Sequence, residues 1–157
     1  VSVTDSSDDE PMSPRPGTLS SGVLQREPLW IIFARSMFIK LKFELLISSD
    51  KTIDGRGANI LIKDGAGLAI QFVNNVIIHG IRIREIKSMD GGMIRDSWNH
   101  VGKRTRCDDG DAISIFGSSN ICLDHLSLSE CEDGLVDVVQ GPLESPSQIA
   151  TWQNITM

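Results

Sequence analysis

Two stretches of this chain repeat one another, and the repeat restricts the folds open to it. Asn75-Val76-Ile77-Ile78-His79-Gly80-Ile81-Arg82-Ile83 lines up with Asn120-Ile121-Cys122-Leu123-Asp124-His125-Leu126-Ser127-Leu128. Upstream of each lies a three-residue β run, Ile70-Gln71-Phe72 and Ile113-Ser114-Ile115. An Asn followed by two short alternating strands, recurring along the chain, is the pattern of stacked coils in a parallel β-helix. No coil there buries its apolar side alone, so neighbouring rungs cover each other. Asn75 and Asn120 then fit inward-facing turns in which amides stack from coil to coil. A β-sandwich ranks second, because Asn-Gly or Asp-Gly hairpin signals are scarce where paired strands would need them.

The rest of the chain is organised to match. Short β-type runs cover 29–33, 38–47, 59–62, 68–73, 76–86, 112–116 and 121–128. Gly, Asn, Asp and Ser separate them, with no helical segment of useful length between. Residues 1–28 are polar and carry Pro11, Pro14 and Pro16, which predicts an extended N-terminal segment without helix. Residues 29–157 form a partial β-helix domain whose C-terminal coils are expected to be missing. A polar loop is predicted over 87–107, and 148–157 can begin another strand.

Composition excludes several classes. A chain of 157 residues with 40% hydrophobic content builds one core and is short for two domains. A net charge of -6 argues against a nucleic-acid partner, since little would neutralise phosphates. The longest apolar runs, 29–34 and 45–47, are far too short to cross a bilayer, so no membrane partner is expected. The chain begins with Val1 and shows no signal peptide, so it reads as a mature or excised fragment with its targeting information elsewhere. Three cysteines, Cys107, Cys122 and Cys131, cannot all pair, and no CxxC spacing offers a cysteine metal site.

The strongest chemical signal is acidic. From Cys107 to Gln140 there is no Lys or Arg, while Asp108, Asp109, Asp111, Asp124, Glu130, Glu132, Asp133 and Asp137 are all present. A solvated acidic face is the simplest account of such a run. Two carboxylate pairs beside β-branched runs point further: hard oxygen ligands without matching His or Cys suit Ca²⁺ rather than zinc. In Val136-Asp137-Val138, period two buries the valines and sends Asp137 outward, with Asp133 on the same face if the strand is regular. Asp111 shares parity with Ile113 and Ile115, so strict alternation sinks it into the core at a cost of several kcal/mol. A corner or bulge near residues 110–112 is the expected escape.

Several blocks resemble the plant pectate lyases and their pollen-allergen relatives. These are Lys51-Thr-Ile-Asp-Gly-Arg-Gly-Ala58, Ile70-Gln-Phe-Val-Asn-Asn-Val-Ile-Ile-His-Gly-Ile81, Gly91-Gly-Met-Ile-Arg-Asp-Ser97, Asp109-Gly-Asp-Ala-Ile-Ser-Ile-Phe-Gly-Ser-Ser119 and Pro28-Leu-Trp-Ile-Ile-Phe-Ala34. The resemblance runs from about Val3 to about Gly141. It implies an all-β, right-handed parallel β-helix, a secreted, cell-wall location, and Ca²⁺-dependent β-elimination of de-esterified homogalacturonan. Carried over by position, the family's metal site falls on Asp109, Asp111, Asp133 and Asp137. Cys122 stands where the family has Trp, and Asp124-His125 is read as structural. The family's base is an Arg downstream of the metal site, which this chain is expected to lack, so no catalytic residue is assigned. Arg95, Arg104 and Arg106 are assigned substrate contact at most.

Three readings follow from the residues. One is a truncated pectate lyase, monomeric, with polygalacturonate as substrate. Another is a non-catalytic, calcium-dependent pectate-binding or allergen-like module. The third, a metal-free hydrolase of the polygalacturonase type, is disfavoured because His79-Gly80 and Arg82-Ile83-Arg84 only partly echo its motifs.

Overall fold

Short alternating runs leave the chain one economical way to hide its apolar residues, which is to wind into coils and stack them. The computed structural model, which describes residues 1–104, 110–139 and 150–157, has this arrangement. It opens with β1 (Ser2–Val3) and a short helix α1 (Leu19–Val23). One coil follows as β2 (Leu29–Phe33), β3 (Met37–Ile39) and β4 (Leu45–Leu46). The next is β5 (Lys51–Asp54), β6 (Ile60–Lys63) and β7 (Leu68–Gln71). A third runs through β8 (Asn74–His79) and β9 (Arg82–Arg84), then a hairpin of β10 (Met93–Ser97) and β11 (His100–Lys103), then β12 (Ile113–Phe116). The last described coil holds β13 (Ser119–Asp124), β14 (Ser127–Ser129) and β15 (Val136–Val139), and β16 (Ala150–Gln153) begins another.

Each coil adds one strand to each of three parallel sheets. The first has the order β1-β2-β5-β8-β13-β16, the second β3-β6-β9-β14, and the third β4-β7-β12-β15. The architecture is a right-handed parallel β-helix, as the sequence predicts, and a β-sandwich is excluded. Like side chains stack inside it. Ile31, Ile53, Ile78 and Leu123 form one buried column, and Ile39, Ile62, Ile83 and Leu128 another. Leu45, Leu68 and Ile113, continued by half-buried Val136, form the third. Branched side chains suit stacking at the strand spacing, and isoleucine dominates this core.

The sequence repeat is real and in register: Val76 pairs with Ile121, and His79 with Asp124. Upstream, however, Ile70 pairs with Ile115 rather than Ile113, a shift of two residues. The asparagines form the expected ladder, but outside the coil rather than within it. Asn120 Nδ2 donates to Asn75 Oδ1 at 2.5 Å, and Asn75 Nδ2 to Asp50 Oδ1 at 2.9 Å. Asp50, Asn75 and Asn120 have φ of 60°, 62° and 60°, and all three are exposed. A left-handed corner turns the chain between sheets and points the side chain to solvent; Asn and Asp tolerate it best.

Three other expectations need correction. The run 38–47 is split between β3 and β4, because the chain must round a corner there. A helix does form within residues 1–28: α1 starts after the prolines, where the Thr18 side chain accepts a hydrogen bond from Ser21 N–H at 3.1 Å. Leu19, Val23 and Leu24 are buried in the core of the stack. The loop predicted over 87–107 contains the antiparallel β10–β11 hairpin, whose single buried residue, Ile94, gave no alternating signal. Among the described residues no helix is long and apolar enough to cross a membrane.

Candidate functional site

Among the described residues Asp137 is the carboxylate on the outer face of the third sheet, and Asp111 and Asp133 lie in the bends that lead into β12 and β15. In β15, Val136 and Val138 pack against the core while Asp137 projects outward and is exposed. It stands opposite Ser114 of β12. One coil earlier the chain bends at Gly110, with φ +95°, and places Asp111 in a buried position. Burial without a partner would cost several kcal/mol, but Asp111 Oδ1 accepts the Gly134 N–H at 2.6 Å. Ala112 N–H in turn donates to Gly134 O at 3.1 Å, and Asp133 N–H to Gly110 O at 3.3 Å. The corner expected near residues 110–112 is therefore present, and it is the next coil's backbone that satisfies the carboxylate.

The carboxylates are not gathered at one point among the described residues. Asp111 lies level with Gly134, three residues before Asp137, which along a strand is about 10 Å. Asp133 is exposed in the bend ahead of β15, so the strand is not regular from Asp133 onward. Asp109 lies outside the described residues. The arrangement is an acidic strip of oxygen donors along two adjacent coils, with Asp111 held fast and Asp133 and Asp137 open to solvent.

The arginines assigned to substrate are engaged elsewhere. Arg95 Nε donates to Met12 O at 3.0 Å, its Nη1 to Trp98 O at 3.3 Å, and its backbone N–H to Pro11 O at 2.8 Å. Arg104 pairs with Glu44 at 2.5 Å and donates to Gln71 Oε1 at 3.0 Å. Both residues thus tether the hairpin, Arg95 to the N-terminal segment and Arg104 across the third sheet. Arg106 and Cys107 lie outside the described residues.

A second constellation sits at the far end of the first sheet. His79 Nδ1 and His125 Nδ1 each lie 2.8 Å from a different oxygen of Asp124. Asn154 Nδ2 donates to Asp124 Oδ1 at 3.1 Å. The hydrogen bonds from His125, Asn154 and His79 hold the Asp124 carboxyl down at about 2, so it is ionised and acts as acceptor for both rings. One coil below, Asp54 is bound by Arg56 through Nε and Nη2 and by Trp30 Nε1, and Arg56 lowers its carboxyl to about 2. Sequence reasoning treated Asp124-His125 without His79. The signal was available, because the repeat already aligned His79 with Asp124.

The fold and these residues define a class: a right-handed parallel β-helix with carboxylates at the end of its third sheet. The chain is 63% identical over 139 residues to a protein of Lilium longiflorum named pectate lyase. It is 55% identical over 139 residues to an Arabidopsis thaliana protein named "Probable pectate lyase 7". Its fold superposes on jun a 1, the major allergen from cedar pollen, with a TM-score of 0.86 and 38% identity, covering 98% of this chain and 42% of the allergen. The chain belongs to the pectate lyase family. The two sequence matches cover 88% of the chain but only 32% and 29% of those relatives, so it spans about a third of their length. No protein-family model matches it.

Proposed function

We propose that this chain is the calcium- and pectate-binding portion of a pectate lyase that cleaves de-esterified homogalacturonan by β-elimination. The observation that carries the reading is the outer face of β12 and β15. Asp137 stands exposed beside Ser114, one coil from the anchored Asp111, in a stretch without a single cationic side chain. The donor set is all oxygen, which fits Ca²⁺, and open carboxylates leave room for a substrate carboxylate and water. Asp109, Asp111, Asp133 and Asp137 would line the strip that holds the ion, with the open carboxylates of Asp133 and Asp137 as direct ligands and Asp111, about 10 Å along the strand from Asp137, adding negative charge. An ion held there would supply charge withdrawal from a uronate C6 carboxylate, which would acidify the C5 proton.

The chain's own residues do the positioning. Gly134 N–H fixes Asp111, the β15 pleat aims Asp137 outward, and the hairpin held by Arg95 and Arg104 forms a wall beside the third sheet. Arg106 remains a proposed substrate contact. Removal of the C5 proton needs a base, and no Arg or Lys occurs between Cys107 and Met157. We therefore expect the chain by itself to bind pectate without turnover. The second reading, a calcium-dependent pectate-binding or allergen-like module, is favoured by the same engaged guanidiniums. A secreted, cell-wall, monomeric protein is the setting both readings share. The body at 29–157 carries the site, and the N-terminal segment 1–28 joins its stack through β1 and α1.

Calorimetry tests the metal. Ca²⁺ is expected to bind with a Kd of roughly 10⁻⁴ to 10⁻³ M, and Asp137→Asn to weaken it with the fold intact. Asp64→Asn, remote from the strip, should leave it unchanged. Equal losses at both positions would mean a diffuse acidic surface. Unsaturated uronide formed by the wild-type chain, followed by ultraviolet absorbance, would show that a base is present after all.

A further inference from the structure

We propose that His79, Asp124 and His125 form a binding site for a borderline transition-metal cation such as Zn²⁺, separate from the acidic strip. One donor atom from each of the three residues lies within 4.8 Å of the other two. The chain has three histidines, and two of them meet on opposite oxygens of one carboxylate. They arrive from different coils. His79 ends β8, Asp124 ends β13 directly opposite it, and His125 occupies the corner that follows.

The His125 side chain is 58% exposed, and its corner is left-handed like Gly80 and Asn154 at the same corner of the adjacent coils, so the turn of the coil sets that backbone. The His125 ring folds back over His79, with centroids 4.9 Å apart and planes tilted by 45°. Two imidazoles and one ionised carboxylate with donor atoms within 4.8 Å of one another are the donors that Zn²⁺ selects and Ca²⁺ does not.

Ligand atoms about 2.0–2.1 Å from a tetrahedral zinc lie about 3.3 Å from one another. The Nδ1–Oδ separations of 2.8 Å are to different oxygens of Asp124, and the three donors now lie within 4.8 Å of one another. Metal binding therefore opens the short contacts slightly and draws the wider-spaced donors together, a movement that exposed His125 has room to make. The cation takes the place of the two Nδ1–H···O bonds, and the ring protons pass to Nε2. Asn154 Nδ2 stays on Asp124 Oδ1 and orients the carboxylate, as outer-shell partners of metal ligands commonly do. Arg56 is held by Asp54 one coil away, so it is not aimed at the site.

His100 supplies the control. It also faces a carboxylate, with Nδ1 2.8 Å from Asp96 Oδ1, but without a second imidazole. Titration of the chain with Zn²⁺ by calorimetry is expected to give one saturable site, unaffected by excess Ca²⁺. His79→Gln and His125→Gln should each weaken it by at least about tenfold, and His100→Gln should not. Nuclear magnetic resonance of the unmodified chain gives a reading independent of variant folding. Zn²⁺ should shift the imidazole resonances of His79 and His125 and leave those of His100 in place. Absence of saturable binding into the millimolar range, displacement by Ca²⁺, equal loss in the His100 variant, or shifts at His100 alone would each overturn the site.

Discussion

Gly67 offers the most direct test of how the coils support the acidic strip. A Cβ placed there would stand 2.1 Å from Asp111 O and 2.8 Å from Ala112 O, both backbone atoms of the neighbouring coil. Ordinary contact is 3.4–4 Å, so the two coils would have to part by more than 1 Å. A ladder bond holds them at that level, Leu68 N–H to Ala112 O at 2.9 Å. Weakening it, at about 1 kcal/mol, together with overpacking of about 1–3 kcal/mol, gives a loss of roughly 2–4 kcal/mol for Gly67→Ala. In a chain of this size that lowers Tm by roughly 4–16 °C. Gly57→Ala is the comparison. It has φ +80° but open space around it, so it carries only the left-handed penalty of about 1–2 kcal/mol. Thermal unfolding followed by circular dichroism separates the two. If Gly67→Ala is no more destabilising than Gly57→Ala, the close backbone approach at Asp111 is not what sets the coil spacing, and the reasoning fails.

Ile78→Ala, in the middle of the buried column between Ile53 and Leu123, should cost about 2–5 kcal/mol in denaturant unfolding; a loss under about 1 kcal/mol would mean the column is loosely packed. Asn75→Ala removes both amide bonds of the exposed ladder and leaves alanine in a left-handed corner, for about 1–3 kcal/mol by the same assay. Asp54 and Asp124 have folded-state carboxyls near 2, below their ordinary value of 3.8, so the stability they contribute is complete above about pH 4 and is lost as pH falls toward 2. Asp54→Asn should therefore flatten the acid limb of a stability-versus-pH curve; an unchanged limb would mean that the Arg56 contact does not survive in solution.

Much of the fold was legible because a β-helix writes its geometry into the sequence locally. Strand alternation such as that of Val76, Ile77 and Ile78 has a fixed period, and the register of Val76 with Ile121 follows directly from two matching blocks 45 residues apart. The hairpin at 93–103 was not legible, since it buries only Ile94 and is held by Arg95 and Arg104 reaching to distant segments. Helix α1 was hidden for a similar reason: five residues have no usable period, and what stabilises them is the stack they cover. The acidic residues were found from charge alone. Charge could not say that Asp111 is buried on Gly134 while Asp137 faces solvent.

The sequence by itself therefore determined the coil, its alternating strands, the positions of its asparagine corners though not their outward orientation, and the acidic stretch, because each depends on neighbours close along the chain. The tertiary structure alone decided which side chains meet across coils. His79 reaches Asp124 over 45 residues, and Gly67 closes on Asp111 over a comparable distance. Those contacts depend on the length of the hairpin-bearing excursion between β9 and β12, which sets how far one coil is from the next in sequence. Periodicity within a strand carries no information about that length, so only the folded stack brings the two ends of it together.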